Sequence, residues 1–398
     1  MATANNAMKP FIRSFTFSLL IIGVVIAAFT AGYFLRGHYD NQERTFPILD
    51  QVYNILMTHG YYSPPADPAL EYGMINGLIA AYGDPFTSFA EPVQHELETN
   101  TLQGTFGGIG VDIGEDPLGH PVLYPYPDGP AAKAGIFDGD YLIRVDDISI
   151  SPETSPEDIH AAIRGPVGQT VQIHTSRPPD LSEHVFIITR QEIPLPSVTW
   201  HIESTDARLG VIQVNIIAAT SRDEIIKAVR DLQSRGAMVY ILDLRNNSGG
   251  LLDAGIGISR IFLDKGTIIE QQYRGQAVET FTTNQPGELS QIPLVVLVNH
   301  NTASAAEIIA GSLQANERAI LIGTPTFGKN TIQLVFDLDD GSSLHITAAT
   351  WWIPDRDETA ADHRIYPDIL IDPASAGMID PFIQEALSHF FNLEFRQN

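Results

Sequence analysis

The sequence predicts a multidomain α+β protein with an N-terminal transmembrane helix, a helical segment, a small β-domain and an α/β core. Three observations support this fold class. An uncharged apolar run lies near the N-terminus, a glycine-rich segment with alternating apolar residues follows, and the second half of the chain alternates between apolar strands and amphipathic helices. A chain of 398 residues is also too long for one ordinary hydrophobic core.

The first predicted element is a membrane anchor over residues 14–35. This run contains no charged residue, and it is long enough to cross a hydrocarbon core of about 30 Å. Lys9 and Arg13 precede it, so we expect residues 1–13 in the cytoplasm and the body of the protein on the periplasmic or extracellular side. A cleaved signal peptide is the alternative, because alanine is frequent in the run.

The composition excludes several classes of function. The formal net charge is −25, and the chain contains no cysteine. An acidic surface repels nucleic acid, so no nucleic-acid partner is expected. A chain without cysteine has no disulfide framework, no thiol nucleophile and no thiolate metal site.

Residues 44–100 are predicted to form an N-terminal helical region. Apolar residues recur at spacings of three and four over 46–57, and a second helix is predicted over 68–82. A Gly-Asp-Pro sequence at 83–85 then ends that helix. Nothing in this region points to chemistry, so the sequence predicts a packing element.

Residues 101–190 are predicted to form a small β-domain. A glycine-rich turn at 104–110 leads into an alternating strand, and successive N–H groups in such a turn can bind an anion such as a peptide C-terminal carboxylate. The runs GPAAKAG at 129–135 and DGDYLIRVDD at 138–147 resemble a PDZ domain. That resemblance implies that a substrate tail adds to the sheet edge as an extra strand. The residues it implies for carboxylate binding are Gly108, Ile109, Gly110 and Val111.

The predicted α/β core covers residues 191–395. A proline-containing linker at 192–197 leads into it. Its first elements are a strand at 209–217, a helix at 221–235 and an apolar strand at 239–244. Gly249 and Gly250 then begin the next helix, where unblocked N–H groups can stabilise an oxyanion.

A serine and a lysine near the C-terminal end of the core are the candidate catalytic pair. Ser304 lies where an apolar strand, 294–298, gives way to a helix, and Lys329 lies beside apolar residues at the entry of a later strand. A desolvated lysine has a lowered pKa and can serve as the general base for a serine nucleophile. Strand alternation places Gln333 on the same face as Lys329, within reach of its amine. On the residues alone, a helix cap closed by Glu307 and a solvent-exposed lysine remain the favoured alternatives.

Four motifs resemble, in order, the carboxyl-terminal processing peptidases, also called tail-specific proteases. They are DLRNNSGGLLD at 243–253, NHNTASAAEIIAG at 299–311, GTPTFGKNTIQ at 323–333 and IYPDI at 365–369. The resemblance implies a crotonase/ClpP-like core of the ββα-spiral type. It also implies Ser304 as nucleophile, Lys329 as general base and Gln333 as the support of that base. The implied oxyanion donors are the N–H of Ala305 and that of either Gly249 or Gly250.

The resemblance further implies partners and chemistry. Members of this family cleave extended, often apolar protein tails through an acyl-enzyme and need neither metal nor ATP. We therefore expect unstructured or apolar C-terminal tails as partners, no metal site and no cofactor, and a homo-oligomer is left open. Asn330 stands where the family usually has glycine, and Ser248 where proline is frequent. Neither departure removes a catalytic group.

Two other hypotheses are weaker. His300 and Asp243 are candidates for a triad with Ser304, but a histidine on the turn just upstream has no reason to face the helix start. A PDZ scaffold or binding protein on a catalytically silent, peptidase-like core is the alternative to an enzyme. The presence of Ser304, Lys329 and Gln333 argues against it.

Overall fold

The computed structural model of the protein describes residues 46–65, 68–354, 362–372 and 380–394. The predicted cytoplasmic segment, 1–13, and the predicted transmembrane anchor, 14–35, lie outside these residues. Within the described part of the chain, no helix combines the length and apolar character that crossing a membrane requires.

The described helices and strands follow one another through two compact units, residues 1–71 and 72–398. The helices are α1 (Pro47–His59), α2 (Ala69–Tyr82), α3 (Pro92–Gln103), α4 (Pro130–Ala134), α5 (Pro156–Ile163), α6 (Ser221–Ser234), α7 (Leu252–Phe262), α8 (Ala305–Ala315) and α9 (Pro381–Glu394). The strands are β1 (Ser88–Ala90), β2 (Thr105–Gly108), β3 (Val111–Glu115), β4 (Pro121–Pro125), β5 (Asp140–Val145), β6 (Ile148–Ser149), β7 (Thr170–Arg177), β8 (Ser182–Thr189), β9 (Gln191–Pro194), β10 (Val198–Ile202), β11 (Leu209–Val214), β12 (Val239–Asp243), β13 (Gly266–Tyr273), β14 (Glu279–Thr283), β15 (Leu294–Val298), β16 (Ile320–Gly323), β17 (Thr331–Asp337), β18 (Ser343–Trp352) and β19 (Ile369–Leu370).

In the first unit, α1 is the helix predicted from the apolar spacing at 46–57. Pro47 occupies its first turn, where the missing N–H breaks no helical hydrogen bond. Gly60 ends the helix, and its N–H donates to the carbonyl of Leu56. None of the residues of α1 is buried within the described chain.

In the second unit, strands β3 to β8 form the predicted β-domain. They make an antiparallel sheet in the order β3-β4-β5-β7-β8, with β6 paired to β5. Leu123, Val145 and Ile173 are fully buried in its core, together with Ile159 of α5. The hydroxyl of Ser155 caps α5 by accepting the N–H of Asp158 at 3.1 Å. Strand β3 lies at an edge of this sheet.

The predicted linker at 192–197 is partly a strand. Strand β9 pairs antiparallel with β2, with Gly107 opposite Glu192 and Phe106 opposite Ile193. The expectation of a linker was therefore wrong over 192–194. The pairing joins residues far apart in sequence, and such long-range contacts leave no local signal beyond a short alternation. Strand β2 directly precedes the β-domain in sequence and β9 directly follows it, so their pairing joins the two ends of the domain.

The α/β core is built on a six-stranded sheet in the order β10-β11-β12-β15-β16-β19. Only the β10–β11 pair is antiparallel among these described pairings. Alternate residues of the central strands face opposite layers, as in β12, where Leu242 packs in the cluster with α6, α7 and α8, and Ile241 packs against α9. Burial on both faces explains the continuous apolar runs in the sequence.

A second, antiparallel sheet carries the lysine end of the core. Its order is β1-β18-β13-β14, with β17 also paired to β18. Strand β1 comes from the region predicted to be helical, and it pairs with β18 so that Ser88 lies opposite His345. The prediction of a purely helical region over 44–100 was wrong at this point, because three residues of that region extend the core sheet.

Candidate active site

Ser304 lies in a sharp turn between β15 and α8. Its backbone angles are φ 54° and ψ −122°, a region that a residue with a Cβ seldom occupies. Such conformations cost about 1–3 kcal/mol and concentrate at functional sites. A serine on a strained strand-to-helix turn is the arrangement that presents a nucleophilic hydroxyl. The sequence predicted the position of the turn but not its strain.

Glu307 ties the Ser304 turn to the loop that carries Lys329. Its buried carboxylate accepts the N–H of Ser304 at 2.8 Å, as the predicted helix cap requires. It also accepts the hydroxyl of Thr326 at 2.6 Å and the N–H groups of Gly328 at 2.7 Å and Lys329 at 2.9 Å. Burial raises the pKa of Glu307, and these four hydrogen bonds oppose that effect. The sequence assigned Glu307 the cap alone and missed its link to the lysine loop.

Lys329 is held as a partly desolvated amine. Burial lowers its pKa, while the carboxylates of Asp84 and Glu307 act in the opposite direction. Its Nζ donates to Gln333 Oε1 at 2.8 Å. The predicted contact with Gln333 is therefore present, although β17 begins only at Thr331 and has a register shift between residues 332 and 333. Simple strand alternation is not what creates it.

No hydrogen bond joins the amine of Lys329 to the hydroxyl of Ser304 within the described residues. The two side chains line one cleft of about 470 Å³ together with Gln333. In this arrangement the amine is bonded to Gln333 while the serine lies across the same cleft. A loose pairing of nucleophile and base is common when no substrate is bound.

Phe86 is a site residue that the sequence reasoning missed. Its carbonyl oxygen accepts the side-chain N–H of Gln333. Its ring centroid lies 5.1 Å from Lys329 Nζ, within the range of a cation–π contact. The only local signal was the Gly-Asp-Pro turn at 83–85, which predicts the end of a helix rather than a place in the core.

The candidate oxyanion donors line the same cleft as Ser304 and Lys329. The N–H of Gly249 is already engaged, because it donates to Asn247 Oδ1 at 2.9 Å. The N–H groups of Gly250 and Ala305 have no acceptor among the described residues. Of the two predicted pairs, Gly250 with Ala305 therefore fits the geometry better than Gly249 with Ala305.

Gly249 has a different role, which is close packing against the serine. A Cβ at this position would lie 2.8 Å from Ser304 Cβ and 2.9 Å from the carbonyl oxygen of Ala303. Its φ of +104° also disfavours any residue with a side chain. Gly249 is therefore required where the chain passes directly beside Ser304.

The rest of the cleft is mainly apolar. Besides the groups already named, it is lined by Leu97 and Leu102 of α3, Ile216, Leu251 and Trp351. Such a lining suits apolar side chains of an extended chain. Among the described residues, no group of three or more His, Asp or Glu side chains is arranged to hold a metal ion.

The predicted carboxylate-binding loop lies at the start of the sheet-edge strand β3. Gly108, Ile109 and Gly110 are buried, and Val111 is the first residue of β3. Gly110 has a φ of +70°, and its carbonyl accepts the N–H of Tyr126 at 2.9 Å. The loop is thus a fixed turn leading to an edge that can pair with another strand. Its role in binding a carboxylate stays a prediction.

The alternative triad is not assembled. Asp243 accepts two hydrogen bonds from Arg245 Nε and one at 2.6 Å from its NH2 group. Arg245 also donates a hydrogen bond to the Asp380 carboxylate at 2.7 Å. No hydrogen bond connects His300 with Asp243 or with Ser304 in the described chain. Asp243 therefore belongs to a buried ion-pair network and not to a catalytic triad.

Comparison with known proteins identifies the family. The model of peptidase family S41 matches residues 208–371, and a PDZ domain model matches residues 122–174. A carboxyl-terminal-processing protease of Picosynechococcus sp. is 38% identical over 71% of this chain and 69% of its own length. The carboxy-terminal processing protease CtpA of Bacillus subtilis is 34% identical over 85% of this chain and 73% of its own length. The corresponding figures for a carboxyl-terminal-processing protease of Synechocystis sp. are 34%, 81% and 77%. The chain carries a PDZ domain and belongs to the carboxyl-terminal processing proteases of peptidase family S41.

Proposed function

We propose that this protein is a membrane-anchored serine endopeptidase that cleaves protein C-terminal tails through an acyl-enzyme. The observation that carries the proposal is the cleft shared by Ser304, Lys329 and Gln333. Ser304 lies on a strained turn and the lysine has a lowered pKa. A strained serine beside a desolvated amine is what a serine/lysine mechanism requires.

The proposed reaction begins with a neutral Lys329. Its amine donates an N–H to Gln333 Oε1 and turns its lone pair to the Ser304 hydroxyl, and it takes the hydroxyl proton as Oγ attacks the scissile carbonyl. The oxyanion of the tetrahedral intermediate accepts the N–H groups of Gly250 and Ala305. The proton then passes from the lysine to the leaving amine, and the acyl-enzyme forms. Water, activated by the same amine, hydrolyses the ester and restores the free serine.

The proposal for the PDZ domain concerns delivery of the substrate. A C-terminal tail would pair with β3, which is an edge strand, and its carboxylate would lie against the loop from Gly108 to Val111.

The membrane anchor at 14–35, with the body of the protein outside the cytoplasm, is part of the proposal. It rests on the uncharged apolar run and on the basic residues that precede it. Extraction of membranes containing the full chain with alkaline carbonate tests this: an anchored protein stays with the lipid.

The catalytic part is tested with an unstructured protein that ends in apolar residues. The wild-type chain should cleave it, and Ser304→Ala should abolish cleavage with an unchanged circular dichroism spectrum. Wild-type activity in Ser304→Ala would exclude the assignment. A substrate with an amidated C-terminus is the matched control for the PDZ proposal, and we expect it to raise KM because the carboxylate is lost.

A catalytically silent scaffold is the second candidate function. The observation that favours it is that the Lys329 amine is bonded to Gln333 and not to Ser304. A serine-directed phosphonate that adds its mass to Ser304 would exclude this candidate. A chain that binds peptide tails but neither cleaves them nor reacts with the phosphonate would support it.

A further inference from the structure

The turn from Asp84 to Thr87 lies against the lysine end of the active site. The carbonyl of Phe86 accepts the side-chain N–H of Gln333, and the Phe86 ring faces Lys329 Nζ at 5.1 Å. This turn lies upstream of the PDZ domain in sequence, whereas Lys329 lies far downstream of it. The two are brought together because β1, which directly follows the turn, pairs with β18 of the core sheet.

Asp84 fixes the shape of this turn. Its Oδ1 accepts the N–H of Phe86 at 3.2 Å, and its Oδ2 accepts the hydroxyl of Thr87 at 2.5 Å. An aspartate that accepts the backbone N–H two residues on closes a local turn. The direction of the Phe86 carbonyl is therefore set by the Asp84 carboxylate and by the pairing of β1.

The Phe86 carbonyl determines which way the Gln333 amide faces. A carbonyl oxygen only accepts hydrogen bonds, so the NH2 end of Gln333 must face Phe86. The Oε1 end must then face Lys329, where it accepts an N–H of the amine at 2.8 Å. If the amide were reversed, its oxygen would face the carbonyl oxygen and its NH2 group would face the amine. The contact with the Phe86 carbonyl would be lost, and the NH2 group would donate to the amine lone pair that a base needs, so the carbonyl selects the orientation that supports the lysine.

Asp84 also contributes charge at this point. Three titratable groups act on Lys329 or are acted on by it: Asp84 in the turn, Glu307 on α8 and His345 on β18. The two carboxylates favour the ammonium form, and Asp84 is the stronger of them. His345 is partly buried, and burial lowers its pKa. The charge of Asp84 therefore opposes the desolvation that prepares the amine as a base.

We infer that the turn Asp84–Thr87 is a positioning element of the serine/lysine site, in which Asp84 holds the Phe86 carbonyl and the carbonyl orients Gln333 toward Lys329. The inference rests on the proposed serine/lysine mechanism. It assigns a role to a segment that precedes the PDZ domain, so the catalytic site is assembled from both sides of that domain. Asp84 and Phe86 act through Gln333 and touch no substrate in this scheme.

The first test removes the carboxylate and compares two variants. Asp84→Ala should lower kcat about tenfold, since misplaced support groups cost about that much or more, with little change in KM. Asp84→Asn keeps an acceptor for the Phe86 N–H but removes the charge. It should move the acid limb of the kcat/KM profile to lower pH, because a group that favours the ammonium is lost. Asp206→Ala is the matched control, since Asp206 shapes an exposed turn by accepting the N–H of Arg208 at 2.9 Å.

The second test addresses the carbonyl directly with Gln333→Glu. A glutamate can still accept from Lys329 but has no donor for the Phe86 carbonyl. If the carbonyl matters, the variant should stay impaired even at high pH, where the lysine is neutral. If the carbonyl does not matter, activity should recover at high pH, and that recovery would overturn the inference.

The outcomes separate this inference from the proposed function. Loss of cleavage in Ser304→Ala together with normal kcat and an unshifted pH profile in Asp84→Asn and Asp84→Ala would refute the role of the turn alone. Cleavage that persists in Ser304→Ala would refute the proposed function itself. If Asp84→Ala does not fold, the pH profile of Asp84→Asn and the Gln333→Glu profile still decide the question.

Discussion

Replacing Gly249 by alanine should disable Ser304, the proposed nucleophile, through packing alone. The added Cβ would lie 2.8 Å from Ser304 Cβ, 2.9 Å from the Ala303 carbonyl oxygen and 3.2 Å from the Ala305 nitrogen. Ordinary contacts between carbon atoms are about 3.5–4.0 Å, so one side must move by roughly an ångström. The Ser304 turn would be displaced, because all three close contacts fall on Ala303, Ser304 and Ala305.

The expected magnitude has two parts. Alanine at a φ of +104° costs about 1–2 kcal/mol of folding free energy relative to glycine, and overpacking adds about 1–3 kcal/mol. A displacement of about 1 Å at a catalytic group lowers the rate by about 100-fold. Gly249→Ala should therefore unfold at lower urea concentration and lose about 100-fold in kcat/KM.

Gly236→Ala is the control that isolates the contact with the serine. Gly236 has a φ of +99°, almost the same as Gly249, and a Cβ there would meet nothing within 4 Å. It should show only the backbone cost of about 1–2 kcal/mol in urea unfolding, with an unchanged kcat/KM. Equal activity in the two alanine variants would refute the reasoning, since both carry the backbone penalty and only one crowds Ser304.

Three further predictions follow from charge and hydrogen bonding. Because only the neutral amine accepts a proton, wild-type kcat/KM should rise as pH increases through the lowered pKa of Lys329, and Lys329→Arg, which stays charged, should show no Ser304-dependent cleavage at any pH. Glu307→Ala leaves three backbone N–H groups without their acceptor, so urea unfolding should show a loss of about 3 kcal/mol or more, and Glu307→Gln, which keeps one acceptor oxygen, should lose less. Asp140→Asn breaks the partly buried ion pair with Arg177 at 2.7 Å and should cost about 1.5–3 kcal/mol, the range for hydrogen bonds to charged groups. Burial alone would raise the pKa of Asp140, but Arg177 lowers it overall. The stabilisation by this ion pair is therefore complete above the ordinary aspartate pKa and is lost as pH falls through the lowered pKa of Asp140. Thermal unfolding measured across this pH range should show that loss in the wild-type protein, and Asp140→Asn should lack this contribution.

The elements with strong local signals were predictable. The apolar run that became β15, the amphipathic helix α6 and the helix α2 lie where the sequence placed them, within the few residues by which helix and strand ends vary. Each carries its signal within its own residues, as a period, a cap or a turn. The PDZ domain was predictable for a related reason, because its glycine turns and Ala helix form a long contiguous pattern.

The elements that escaped prediction depend on partners distant in sequence. Strands β1 and β9 are short, and each pairs with a strand far away in sequence. Strand β1 pairs with β18, and β9 pairs with β2. A short edge strand has no periodicity of its own, so the sequence could assign it only to a helix end or a linker. The same holds for Phe86, whose contribution to the site is a backbone carbonyl. Every residue has a backbone carbonyl, so the residue type at a position does not indicate that its carbonyl has a functional role.

The two interpretations of Ser304, a helix cap and a nucleophile, are compatible, because the N–H that Glu307 accepts is not the group that would react. The capping contact is made by the Ser304 N–H to Glu307, and the reaction would use the hydroxyl. The Glu307 carboxylate also accepts the N–H of Lys329. Gln333 accepts an N–H of the Lys329 amine and donates to the Phe86 carbonyl. Ser304, Lys329 and the upstream turn are thus connected by a continuous chain of hydrogen bonds, and in the described chain none of these bonds joins the Ser304 and Lys329 side chains directly. Such a scaffold fixes the backbones of both residues at the cleft, and the proposed proton transfer needs only the amine and the hydroxyl to come together when a substrate binds.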